Sequence, residues 1–141
     1  MSRSGFPTPG RLAALEPVLV VLIALHSVVV GLLLTFATDW GARFSGFPSP
    51  VPLFFPRQAG AFHFVVAATY LVEYFRYRGV GLLVMTKSIA VVFLFLTAAL
   101  DLVPWLVPLS GVGDGLMAIA VVLLRRARGL PLLGPGAGRS A

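Results

Sequence analysis

Residues Gly79–Leu100 read GVGLLVMTKSIAVVFLFLTAAL, an apolar run with a single charge, Lys87, inside it. A helix rises about 1.5 Å per residue and the hydrocarbon core of a bilayer is about 30 Å thick, so this run predicts a membrane-spanning helix. Lys87 lies about 12 Å into it. An ammonium at that depth needs an acidic partner, a water-filled cavity or a stretched reach back to the surface. The rest of the chain can be read by asking what it offers that lysine.

Composition points the same way. The 141 residues are 58% hydrophobic and 11% charged, against about 25% charged in soluble domains. The class predicted is an all-α polytopic membrane protein, too short for a separate soluble domain. The chain has no cysteine, which excludes disulfides, thiolate metal sites and CxxC redox chemistry. The formal net charge is +6, but the basic residues stand at the ends of apolar runs, where such charges set topology. No nucleic-acid partner is expected from that placement.

Three further apolar runs complete an antiparallel bundle of four transmembrane helices, at about 17–38, 57–76, 79–100 and 104–125. Residues 1–16 are expected to be a loosely ordered tail, 17–126 the membrane domain and 127–141 a flexible tail. The first run is too long for a cleaved signal peptide, and FATDW is a poor cleavage site. Prolines 48, 50, 52 and 56 forbid a continuous helix across Asp39–Pro56. The aromatic rings of that loop suit a cap lying over the outer end of the bundle. VPWLVPLSGVGDG, rich in helix breakers, predicts an irregular first half for the fourth run, with solid helix from about Gly113.

Basic residues assign the sides. Arg3, Arg11, Arg76, Arg78, Arg125, Arg126, Arg128 and Arg139 gather on one side, against Arg43 and Arg57 with Asp39 and Asp101 on the other. Both termini are therefore expected in the cytoplasm.

Counting rise from that side places His26, Tyr70, Lys87 and Asp114 within about 9 to 17 Å of one surface, with Glu73 shallower. Ionisable groups at such depth face the interior and pair. Helical phase agrees for the second run, where Ala59, Gly60, His63, Ala67, Tyr70 and Tyr74 share a stripe that Phe62 and Phe75 avoid. Depth favours Asp114 as the partner of Lys87, with Glu73 second. Arg57, Gln58, His63 and Asp101 fall on the outer side. The layer can be read as an ion pair that fixes helix register, with interfacial tyrosines and an interior histidine, or as a binding site.

Sharper chemistries find little support. His63 lies about 9 Å nearer the outer surface than His26, which argues against a bis-histidine haem. No metal-ligand spacing is present, and there is no GxSxG, phosphate loop or HExxH. The cofactor is left open and no metal is expected.

His26 in the first helix, PRQAGAFH opening the second, MTKSIAVVF and GDG together resemble the DoxX-like group of small bacterial membrane proteins. The likeness covers about Pro17–Arg125. It implies a left-handed four-helix bundle in a bacterial inner membrane and a link to quinone-dependent or lipophilic-substrate chemistry, without any catalytic residue to carry over.

Three functions follow as alternatives. The bundle holds an amphipathic ligand such as a lipid, quinone or isoprenoid in a polar pocket; or it is an accessory subunit packed into a homo-oligomer or larger membrane complex; or it is an enzyme with His26 or Lys87 as acid or base. All three have the lipid bilayer as a partner.

Overall fold

The computed structural model describes residues 9–50 and 52–134. They form five helices: α1 (Pro9–Phe36), α2 (Thr38–Ser45), α3 (Phe54–Tyr77), α4 (Gly81–Leu100) and α5 (Leu106–Ala127). Among the described residues, three helical segments are long and apolar enough to cross a membrane: Ala13–Phe36, Gly81–Leu100 and Leu106–Ala127. Helix α3 is as long, but Arg57, Gln58, Glu73 and Arg76 interrupt its apolar surface. The outward faces carry large apolar side chains such as Leu22, Val29, Phe62, Val92, Phe93 and Ile119. Apolar exposure on that scale marks contact with lipid or with another protein.

The four long helices alternate in direction. Glu16, early in α1, meets Arg125 and Arg128 at the end of α5, and a short turn joins α3 to α4. These contacts define a terminal end. At the opposite, loop end, Gly46 sits against Pro104 and Trp105.

Glycines decide which helices pack closely. A Cβ on Gly31 would lie 2.8 Å from the Phe64 ring and 3.0 Å from the Gly60 carbonyl, so α1 and α3 cross backbone to backbone. A Cβ on Gly111 would lie 3.1 Å from the Phe95 ring and 3.4 Å from Leu94 Cβ, which brings α5 onto α4. Helices α3 and α4 touch far less than either of these pairs. The buried core lies towards the terminal end and includes Val20, Ile23, Tyr70, Leu83 and Val121.

Several boundaries differ from those read in the apolar runs. Helix α1 starts at Pro9 and not at Pro17, because AALE is strongly helix-forming; Pro17 within the helix gives up its N–H and crowds the carbonyl of Ala13, a local cost that does not end the helix. The connection after it is partly helical: the prolines begin only at Pro48, and α2 closes before them on Gly46 in the left-handed region (φ 90°). Phe44 of α2 packs edge-on against Trp105 at 5.9 Å, laying α2 across the loop end. The expected irregular half of the fourth run is helical from Leu106, with Pro108 in the first turn, where a backbone N–H would have no partner in any case.

The chain past α5 is docked as far as it is described. It turns at Gly129 (φ 65°), the Val80 N–H donates to the Leu132 carbonyl at 2.8 Å, and Leu133 covers Gly81. Residues 1–8 and 135–141, with Arg3 and Arg139, and Val51 in the proline-rich loop lie outside the described residues.

Candidate functional site

Leu83 and Lys87, one helical turn apart, are the buried residues of α4. Lys87 Nζ sits 2.5 Å from Asp114 Oδ1, with side-chain exposures of 6% and 15%. Asp114 can come so near because Gly111 and Gly115 on α5 hold no side chain between the helices. It is the partner that matched depth favours.

Glu73 goes elsewhere. Its carboxylate oxygens accept from the Leu82 N–H, both at 3.0 Å, and one also from the Leu83 N–H at 3.4 Å. The first N–H groups of a helix have no intrahelical acceptor and form its positive pole, so a carboxylate there caps α4. Glu73 thus leaves the polar layer and holds the α3–α4 turn.

A cavity of about 270 Å³ opens beside the ion pair. Tyr70 and His63 of α3, Thr86 of α4 and Ser27 of α1 join Lys87 and Asp114 around it. Its rim carries Phe62 and Ala59, both exposed, so it opens sideways where α3 and α4 part. Tyr70 is 1% exposed, and its hydroxyl stands on the cavity wall beside Thr86, the side chain placed to bond it.

The two histidines exchange the places that depth arithmetic gives them. His63, expected on the outer side, is half-buried in the cavity wall; His26, expected in the layer, is exposed on the outer face of α1. Ser27, its neighbour, is buried and faces the cavity. The stripe Val20, Ile23, Ala24, Ser27 and Gly31 has helical spacing and is buried throughout, and His26 is not on it. Arg57, Gln58 and Asp101 take no part in the cavity.

The arrangement offers a hydroxyl, an imidazole and an ammonium neutralised by its carboxylate, in a space the size of one polar ring or headgroup. Such a set can bind acceptor atoms of a ligand and fix its orientation. Among the described residues no three His, Asp or Glu side chains converge as metal ligands would.

A larger cavity of about 440 Å³ lies at the loop end, walled by Leu34, Leu94, Leu106, Phe47 and prolines of the loop, and it is almost wholly apolar. A second polar cluster occupies the terminal end. Glu16, 1% exposed, accepts from Arg128 and faces Arg125 Nε at 3.2 Å. That second approach is off the line of a hydrogen bond, so it is electrostatic. The apolar run alone leaves Glu16 in a tail; the signal for it is its register with Val20, Ile23 and Ser27 on the buried stripe of α1. No protein-family profile, curated protein or solved structure matches this chain.

Proposed function

We propose that the chain is a four-span membrane protein whose bundle binds the polar headgroup of an amphipathic molecule (a lipid, quinone or isoprenoid) in the Lys87–Asp114 cavity. The observation that carries this is the cavity itself, which gathers the buried Tyr70 hydroxyl, the His63 imidazole and the Lys87–Asp114 pair inside an otherwise apolar bundle. A ligand oxygen there could accept from the hydroxyl, the imidazole or the ammonium. The sideways opening between α3 and α4 suits a molecule whose tail stays in lipid while its head enters the protein. Helix α3 supplies the fourth span, its charged residues gathered towards its two ends and its polar cavity face turned inward. The basic residues at the terminal end favour the cytoplasmic side of a bacterial inner membrane for it, in keeping with the DoxX-like resemblance.

Reporter fusions after Arg128 and within Ser45–Pro50 are expected on opposite sides of the membrane; the same side would remove the fourth span. For the ligand, protein purified in mild detergent is expected to carry a small non-protein mass in native mass spectrometry. Tyr70→Phe should hold it up to about tenfold more weakly, the worth of one hydrogen bond. Equal retention by wild type and Tyr70→Phe would refute the reading. A second reading, an accessory subunit without a ligand, draws on the Lys87–Asp114 pair being complete in itself. It predicts a retained protein partner in the same measurement.

A further inference from the structure

At the terminal end, Arg78, Arg125 and Arg128 surround a second cavity of about 210 Å³ with Glu16 and Tyr74, and Leu130 and Pro131 form one wall. It shares no lining residue with the Lys87 cavity. Arg125 and Arg128 face one carboxylate, and Arg78 brings its carbonyl to the cavity and its own positive charge to the edge, so this end carries an excess of positive charge. Glu16 does not consume the donors of its partners. It draws on Arg128 Nη1 and faces Arg125 Nε, and Arg125 Nη2 donates to the Arg78 carbonyl at 2.5 Å. The remaining N–H groups of these forks stay free of those bonds. The buried carboxylate therefore acts as a brace that orients two guanidinium groups side by side.

The wall is built as well. After Arg128 the chain turns at Gly129, the Leu130 N–H returns to the Arg125 carbonyl at 3.0 Å, and Leu132 is tied to Val80. This fold-back makes a concave site of what would otherwise be a solvated row of arginines.

Arg78 supplies the independent observation. It is the one non-glycine residue with positive φ among the described residues (φ 57°), at the left-handed position that ends α3. Glycine occupies that position without strain, whereas a side chain there is costly. The conformation turns the Arg78 carbonyl onto Arg125 Nη2 and leaves its exposed side chain at the cavity edge, within reach of an anion held by the other two arginines.

We infer that this cavity is a binding site for a phosphate group, taken from an anionic lipid headgroup or from free phosphate. Arginine forks match phosphate oxygens in pairs of parallel hydrogen bonds. Tyr74 and the Leu130–Pro131 wall limit access to one group of that size.

The decisive variant is Arg78→Gly. It relieves the left-handed conformation and leaves the carbonyl that Arg125 uses, so folding is expected to be unharmed, and a thermal midpoint equal to or above wild type checks this. The full chain is placed in nanodiscs of phosphatidylcholine with phosphatidylglycerol, released, and read by native mass spectrometry. Wild type is expected to retain phosphatidylglycerol, and Arg78→Gly to retain it about tenfold less. In a second arm, delipidated protein in neutral detergent is melted with sodium phosphate or with sodium chloride at matched ionic strength. A rise specific to phosphate in wild type and absent in Arg78→Gly assigns free phosphate as a source. Retention and melting that are the same for both proteins in both arms would overturn the site.

Discussion

Replacing Asp114 by Asn leaves the Lys87 ammonium in its pocket without a counter-charge. With the lysine side chain only 6% exposed, the removal of one partner from a buried pair costs about 3 kcal/mol, the low end of the measured range because the adjoining cavity admits some hydration. Lys87→Met is milder, about 1 kcal/mol: the carboxylate is 15% exposed and can be hydrated from the cavity. Removing both charges returns the double variant to within about 1 kcal/mol of wild type, since two apolar or neutral groups replace a pair whose attraction was largely offset by desolvation. The cycle therefore predicts a coupling of about 3 kcal/mol. Equilibrium unfolding in mixed micelles, with SDS as denaturant, gives all four stabilities. A double variant no more stable than Asp114→Asn alone would show that the ammonium is satisfied by something other than Asp114.

Three other perturbations test parts of the frame. Glu73→Gln should weaken the cap on α4 by about 1 kcal/mol and speed amide exchange at Leu82 and Leu83; unchanged exchange there would refute the cap. Gly60→Val forces a side chain between α1 and α3 against the Gly31 carbonyl; it should cost about 2–3 kcal/mol in the same unfolding assay, and a neutral outcome would mean the helices are not in backbone contact. Asp39, half exposed in the first turn of α2, is held below its ordinary carboxylate pKa of 3.8 by a hydrogen bond from Ser49 and then by Arg43. Its folded value is depressed, so the support it gives α2 is present above the unfolded pKa and fades as pH falls through the folded one. An NMR titration should show the Asp39 pKa moving upward in Ser49→Ala, and no movement would remove Ser49 as the cause.

The sequence makes depth legible and leaves azimuth poorly defined. Lys87 and Asp114 can be paired because each sits inside a long apolar run whose end is marked by arginines, and rise per residue does the rest. His26 is misplaced by the same arithmetic because depth says nothing about which way a side chain points; one residue of helix is about 100° of rotation, enough to exchange His26 for Ser27 on the inner face. In α3 the face is legible because tyrosines and small residues alternate there with phenylalanines. Glu73 is legible in depth, but its partner is a row of backbone N–H groups, which no side-chain pattern advertises. Glu16 is hidden by the assumption that a helix ends where its apolar run ends. A different assumption, that prolines and glycines break any nearby helix, hides α2 and the helical start of α5, where prolines past the last turn or in the first one stop nothing.

The tie between Glu16 and the arginines of α5 joins α1 to a helix that is synthesised well after it. Until Arg125 and Arg128 leave the ribosome, the Glu16 carboxylate has no partner, and the earlier helices wait with an open flank. This end of the bundle therefore closes only once α5 is in place, and a Glu16 left without those arginines is a carboxylate buried against apolar side chains.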